Sequence, residues 1–316
     1  MKASEPRGFQ ARQFDWASLA GTAATGFATF LILAILGVIL GNVLLHGWPA
    51  LSWRFVTGGT EADMFDVKKA AIFPMIFGTT CRVILMSIFV LPVGVITAIY
   101  LTEYAQTGSQ LTRIIRGAVN NLAGVPSIVF GLFGLGFFIS AIGGSMDAVL
   151  RPDNPAPRWG KESLLWASVT LAVMTLPVVI VATEEALRAI PLGLREASLA
   201  LGATKLQTIL RIVLPQALPG IMTGGILAVS RAAGEVAPIM FTGVTYYMRD
   251  LPQSLSDQFM DLGYHVFVLS TQSPNIEQTR PILYGTVLVL LVLTFALNLA
   301  AVLVRAHMRR KLRAAH

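Results

Sequence analysis

The sequence has little of what a soluble enzyme or a metalloprotein requires. Only 13% of its 316 residues are charged, whereas soluble domains contain about 25% charged residues. Its single cysteine, Cys81, excludes an internal disulfide framework and any metal cluster bound by several thiolates. The four histidines lie far apart in the chain, which leaves little material for a zinc site. We therefore expect no metal and no other cofactor.

Motifs of nucleotide-dependent and hydrolytic enzymes are also missing. The chain contains no G-x-x-x-x-G-K-[ST] phosphate-binding loop, so we expect that it does not hydrolyse ATP itself. It contains no H-E-x-x-H pair and no G-x-S-x-G elbow. An intramembrane hydrolase or lipid transferase would need a nucleophile with a partnered base, and neither Ser127 nor Ser230 has a histidine nearby in the sequence. An enzyme is therefore the weaker alternative.

Long apolar runs are what the sequence has in abundance. Hydrophobic residues make up 54% of the chain, and the mean hydropathy is +0.67. A helix needs roughly 20 apolar residues to cross about 30 Å of hydrocarbon. Six stretches reach this length, at residues 21–45, 72–101, 122–142, 164–182, 218–243 and 282–304. They predict an all-α, polytopic membrane protein with six transmembrane helices.

The basic residues are distributed unevenly between the two sides of these spans. Six spans place both termini on one side, and more than half of the 24 Lys and Arg residues fall on that side. Because cytoplasmic segments carry the excess of Lys and Arg, both termini are predicted to be cytoplasmic. The formal net charge of +7 is then explained by basic residues along the inner membrane surface, where anionic lipid attracts them. Nucleic-acid binding is the weaker interpretation of this charge.

The segment between the fourth and fifth spans, residues 184–215, is too long for a turn and carries apolar side chains at helical spacing. Thr204 followed by Gln207 is a capping-box pattern, which predicts a second short helix after it that Pro215 is expected to end. Gly202 lies at the break between the two helices, where a positive φ is expected. The helix pair either lies on the lipid headgroups or docks a cytoplasmic subunit.

A spacing pattern in this segment resembles the EAA motif of ABC importer permeases. Glu196 is followed by glycine after six residues, by isoleucine after sixteen and by Leu-Pro after eighteen and nineteen, and Ser198 replaces a second alanine. The resemblance implies that the helix pair docks into a groove on an ATPase subunit and passes ATP-driven movement to the spans. The coupling residues that it implies are Glu196, Ala197, Ser198, Gly202, Ile212, Leu214 and Pro215.

Three stretches narrow the resemblance to the PstA-type permease subunits of phosphate (Pst) ABC importers. Residues 120–134 resemble the start of the third span of that family, residues 231–242 resemble its fifth span, and residues 194–205 match its coupling loop. The resemblance extends from about residue 72 to residue 304. The sequence departs from the family at Cys81-Arg82, where apolar residues are usual.

The resemblance implies the type I ABC importer permease fold, a domain division and a set of partners. The division is a cytoplasmic N-terminal segment at 1–20, the first transmembrane helix with its outer loop at 21–71, the permease core at 72–304 with the coupling loop at about 184–215, and a basic cytoplasmic tail at 305–316. The implied partners are a homologous second permease subunit (PstC-like), an ATP-binding ATPase dimer (PstB-like), an external phosphate-binding protein (PstS-like), inorganic phosphate and membrane lipid, with no nucleic acid. The implied location is the plasma (inner) membrane of a prokaryote.

Two ionisable residues in the fifth span, Arg231 and Glu235, are the predicted substrate-path residues. A lone charge in hydrocarbon is costly, so the two either form a structural ion pair or line a polar path for phosphate. A guanidinium group fits phosphate oxygens, and the carboxylate would prevent over-tight binding. Arg82 is expected at the outer interface, with its charged end snorkelling to water. A permease for molybdate, sulfate or phosphonate and a stand-alone channel or scaffold are the alternative functions.

Overall fold

The computed structural model of the chain describes residues 16–59, 69–106, 108–154 and 156–314. These residues are almost entirely helical. The α-helices are α1 (Trp16–Gly47), α2 (Trp53–Thr57), α3 (Phe73–Ile99), α4 (Gln110–Ala123), α5 (Ser127–Phe133), α6 (Gly144–Leu150), α7 (Leu164–Arg188), α8 (Leu192–Ala200), α9 (Lys205–Thr208), α10 (Leu214–Ala233), α11 (Leu262–Thr271) and α12 (Ile276–Ala314). Most of the predicted N-terminal segment, 1–20, and the last two residues of the predicted tail lie outside the described residues.

Six helical stretches are long and apolar enough to cross a membrane, as the sequence predicts. They are Trp16–Ala50, Phe73–Tyr104, Ser127–Leu150, Leu164–Arg188, Lys205–Ala233 and Ile276–Met308. Three π-helical turns extend or join the helices within these spans, at Tyr100–Tyr104, Gly134–Gly143 and Ile209–Val213. The chain divides into two compact units after Leu45, and most side chains of α1 are exposed and apolar.

Helices α3, α7 and α10 form the centre of the second unit. Their contact buries the side chains of Met86, Val90, Leu171, Val179 and Ala228 almost completely. Small residues let the backbones approach closely, because a Cβ atom added at Gly224 of α10 would lie only 2.7 Å from the Cβ of Ala182 on α7. This three-helix core fixes the direction of α10 and therefore the position of its last turn.

The fifth span ends ten residues earlier than the sequence predicts. The helix stops at Ala233, and Gly234 follows as its C-cap. Glycine has a low helix propensity, and Arg82 of α3 donates hydrogen bonds to the last carbonyl groups of α10. Pro238 lies beyond the end of α10, so it does not bend this helix.

The segment that follows, residues 234–261, is irregular but well packed against the start of α7. Ser163 donates its backbone N–H to the carbonyl of Thr242 at 2.9 Å, and Leu164 donates to the carbonyl of Asp257 at 2.8 Å. Irregular backbone beside a membrane span is tolerated where protein rather than lipid surrounds it. The segment thus closes the end of the bundle at which α7 begins.

The expectation that Pro215 ends a second short helix is also wrong. Helix α9 continues without a break through the π-helical turn Ile209–Val213 into α10. Pro215 lacks a backbone N–H, but it stands in the first turn of α10, directly after the π-turn has shifted the hydrogen-bonding register. Helix α8 and the N-terminal part of this continuous helix, α9 with the π-helical turn, together form the loop between the fourth and fifth spans.

Candidate functional site

A helix stop signal and a helix start signal in the sequence build the loop between α7 and α10. Helix α8 begins after Pro191 and ends before Gly202, whose φ of +84° favours glycine. Thr204 then caps the next helix, because its hydroxyl accepts from the N–H of Gln207 while the Gln207 side chain accepts from the N–H of Thr204. The predicted capping box and the predicted positive φ are therefore both confirmed.

Arg195 anchors α8 to the end of the fourth span. Its guanidinium donates to the carbonyls of Ile190 and Leu187, both at 2.7 Å, and lies 3.0 Å from the carboxylate of Glu103. The Arg195 and Glu103 side chains are only 15% and 11% exposed. This anchor joins α8 to the end of the second span and was not predicted, because the two residues are 92 positions apart in the sequence.

The predicted coupling residues fall into two groups. Glu196, Ala197 and Gly202 are exposed on α8 and at its end. The Ser198 hydroxyl instead turns inward and bonds that of Thr208 at 2.9 Å. The half-buried residues at the start of α10 and in the turn before it are Ile212, Leu214 and Pro215.

Six leucines of the same loop are exposed, and they are called the leucine ridge here. Leu201 is 90% exposed and Leu192 is 70% exposed, and the further members are Leu194, Leu199, Leu206 and Leu210. Exposed apolar side chains that are concentrated in one segment are typical of an interaction site. Either lipid or a protein can cover the leucine ridge.

Arg231 and Glu235 lie together at the end of α10. Their Nε and Oε1 atoms are 3.5 Å apart, and the side chains are 43% and 22% exposed. Glu235 donates its backbone N–H to the carbonyl of Ala232 at 3.2 Å, which continues the last helical turn. The two paired side chains are therefore partly exposed at the end of the span.

A second, fully buried ion pair lies directly behind this site. Arg82 on α3 is 2.8 Å from the Asp261 carboxylate, and both side chains are 0% exposed. The guanidinium also donates to the carbonyl of Ala232 at 2.9 Å and of Ala233 at 3.3 Å. Arg82 thus caps the C-terminal end of α10, where the helix macrodipole favours a positive charge.

The expectation that Arg82 snorkels to water is consequently wrong. Arg82 is nine residues into α3, about 14 Å along the helix, and a carboxylate from a distant segment compensates it. The sequence analysis did not predict Asp261 or Thr79, whose hydroxyl donates to the Asp261 carboxylate at 2.9 Å. Asp261 is the N-cap of α11 and accepts from the N–H groups of Gly263 and Tyr264, so its position before an apolar run was the available signal.

The described residues contain no group of three or more His, Cys, Asp or Glu side chains that could hold a metal ion.

Comparison with solved structures defines the class of fold. A chain of a bacterial ABC transporter involved in the import of the acidic polysaccharide alginate superposes with a TM-score of 0.61 at 14% identity, covering 94% of this chain and 98% of that one. A chain of the MetNI methionine ABC transporter, in an inward-facing conformation, gives 0.52 at 22% identity, covering 75% and 94%. The fold is that of an ABC importer permease.

Comparison of sequences defines the family. Residues 90–314 match the binding-protein-dependent transport system inner membrane components. Phosphate transport system permease protein PstA 1 of Mycobacterium tuberculosis is 31% identical over 299 residues, which cover 92% of this chain and 89% of that protein. The probable ABC transporter permease protein YqgI of Bacillus subtilis is 30% identical over 291 residues, covering 89% and 92%. The chain belongs to this family and is a multi-pass protein of the prokaryotic inner membrane.

Proposed function

We propose that the chain is a permease subunit of an ATP-driven phosphate importer and forms part of the path for inorganic phosphate. The observation that carries the proposal is the 31% identity over 92% of the chain to a protein named as a phosphate transport system permease. The accessible Arg231–Glu235 pair at the end of an apolar span supports it. The same fold serves alginate and methionine transporters, so the fold alone does not select the substrate.

The two path residues have complementary tasks in this proposal. The planar guanidinium of Arg231 donates two parallel hydrogen bonds to phosphate oxygens. Glu235 offsets part of that charge, which keeps the site weak enough to release its substrate. The Glu235 carboxylate also accepts the proton of hydrogen phosphate, whereas sulfate at neutral pH presents only acceptor oxygens and is repelled.

The exposed face of α8 is the proposed contact with the ATPase. Glu196, Ala197 and Gly202 lie on the exposed surface, and the leucine ridge beside them supplies apolar area to bury. Ser198, with Ile212, Leu214 and Pro215, connects that surface to α10. Movement of α8 is thereby passed along one continuous helix to Arg231.

The remaining subunits follow from the same proposal. A homologous second permease subunit completes the path, an ATPase dimer binds on the inside and hydrolyses ATP, and a phosphate-binding protein delivers the substrate outside. Both termini and α8 face the cytoplasm, in agreement with the excess of Lys and Arg on that side.

Substitution of the path residues tests this function. If Arg231 and Glu235 are only a structural pair, then replacing both by leucine removes two charges together and is often neutral for stability, so uptake survives. If they bind phosphate, the Arg231→Leu/Glu235→Leu complex assembles but does not transport, and Arg231→Gln alone also loses transport. The measurement is labelled phosphate uptake per assembled complex. Near-normal uptake by the double variant would remove both residues from the path.

The alternative is a permease for another oxyanion, namely molybdate, sulfate or phosphonate. Uptake of these labelled anions by the wild-type complex separates the alternative from phosphate import, because a site that requires a proton on the substrate rejects sulfate.

A further inference from the structure

A second basic site lies at the end of the bundle that carries α8. A cavity of about 770 Å³ opens between the end of the second span, the start of α4 and α8. Its volume is that of a typical small-molecule site. Its charged lining consists of Glu103, Arg113, Arg116, Arg188 and Arg195.

Two of these arginines share one carboxylate. Glu184 lies 2.8 Å from Arg116 and 3.1 Å from Arg188, and its own side chain is only 11% exposed. The arginine side chains are 36% and 60% exposed. One carboxylate neutralises one guanidinium, so this triad holds an uncompensated positive charge with N–H donors accessible from the cavity.

The other two arginines add a further excess charge. Arg195 is paired with Glu103 at 3.0 Å, whereas Arg113 is exposed and belongs to neither ion pair. Four guanidinium groups therefore face two carboxylates. A concave, positively charged surface of this kind attracts anions of the phosphate class.

We propose that this cavity binds a phosphate oxyanion and that its occupancy controls the rate of ATP hydrolysis. The ligand is either free inorganic phosphate or the phosphate headgroup of an anionic lipid, since the recognising chemistry is the same. An anion in the cavity competes with Glu103 for Arg195 and so loosens the anchor of α8. The proposed regulation of ATP hydrolysis depends on the docking of an ATPase at α8, whereas the binding of the anion in the cavity does not.

The start of α4 supports the same assignment. Thr112 and Ser109 line the cavity, and α4 begins at Gln110 without a side-chain cap on its first N–H groups. The positive end of this 14-residue helix adds to the field of the arginines.

Arg113→Gln is the variant that tests the site, because Arg113 holds neither ion pair and its loss leaves the fold intact. Arg188→Gln is the second variant, since Glu184 keeps Arg116 as its partner. Arg310→Gln is the matched control, because this exposed arginine of α12 does not line the cavity. The full complex is placed in lipid discs at constant ionic strength, and initial rates of ADP release are measured.

In discs of phosphatidylcholine alone, we expect added inorganic phosphate to lower the rate of ADP release by the wild-type complex. The phosphate concentration that gives half of this effect should rise about fivefold in Arg113→Gln and stay unchanged in Arg310→Gln. If phosphate has no such effect but phosphatidylglycerol changes the rate in an Arg113-dependent manner, a lipid headgroup is the ligand. A second measurement compares the binding of labelled phosphate to Arg113→Gln and Arg310→Gln in the absence of nucleotide. This binding does not depend on uptake, so its result holds even if the complex transports a substrate other than phosphate. The proposal is overturned if Arg113→Gln and Arg188→Gln match Arg310→Gln in every arm.

Discussion

The buried pair Arg82–Asp261 gives the most quantitative prediction. Replacing Arg82 by methionine leaves the Asp261 carboxylate buried without its partner, since both side chains are fully enclosed. Breaking a buried ion pair on one side costs about 3–5 kcal/mol. The same change removes the cap from the Ala232 and Ala233 carbonyls at the end of α10.

A second substitution separates these two effects. Asp261→Asn removes the charge but keeps a side-chain oxygen that caps α11 through Gly263 and Tyr264. The double variant Arg82→Met/Asp261→Asn therefore retains only the cost of the uncapped α10 carbonyls, about 1–2 kcal/mol. It should be more stable than Arg82→Met alone, although it carries one more substitution.

The assay is thermal unfolding of the full chain in lipid discs, followed by far-ultraviolet circular dichroism. We expect the midpoints to fall in the order wild type, double variant, Arg82→Met. Arg211→Met, at an exposed arginine of the π-helical turn Ile209–Val213, should have the same unfolding midpoint as the wild type. Equal midpoints for Arg82→Met and wild type, or a double variant below the single one, would refute the argument that the Asp261 charge is buried and compensated by Arg82.

Three further outcomes follow from the loop and the topology. Gly202→Val forces a β-branched residue into φ of +84°, so we expect less ATPase to co-purify with this variant. Asparagine tolerates this backbone region, so Gly202→Asn should retain more of the ATPase. Undiminished co-purification with full uptake would remove the docking role. Glu103→Gln should loosen α8 by weakening its 3.0 Å contact with Arg195, and protease cleavage within 192–202 should then become faster than in Glu185→Gln, a change at an exposed carboxylate of α7. Reporters fused after His316 and placed near Thr204 should both lie in the cytoplasm and one near Asn154 outside, and an external signal at Thr204 would overturn the topology.

Local signals in the sequence were sufficient for most of the fold. Span length and hydropathy located all six helices, and the Thr204–Gln207 capping box and Gly202 were read correctly because each depends on neighbouring residues. The end of α10 was misplaced because its carbonyls are capped by Arg82, 150 positions away in the sequence. A tertiary interaction of this kind leaves no periodic signal.

The candidate sites show the same division between local and long-range information. Arg231 and Glu235 are four residues apart in the sequence, across the last turn of α10 and its end, so their proximity was predictable from local spacing. The Arg195–Glu103 anchor and the basic cavity arise where three elements meet, and only the packing of the spans brings them together. The burial of Arg82 was not predictable from local signals, because its partner Asp261 belongs to the irregular segment 234–261.

The central claim is that this chain forms part of a path for inorganic phosphate, and uptake by the reconstituted complex tests it most directly. Vesicles contain the permease subunits and ATPase, with ATP at the ATPase side and the phosphate-binding protein with labelled phosphate at the other. We expect ATP-dependent accumulation of phosphate that excess sulfate and molybdate do not reduce and that Arg231→Gln abolishes in assembled complexes. Accumulation of sulfate or molybdate in place of phosphate, or phosphate uptake that is unchanged by Arg231→Gln, would contradict it.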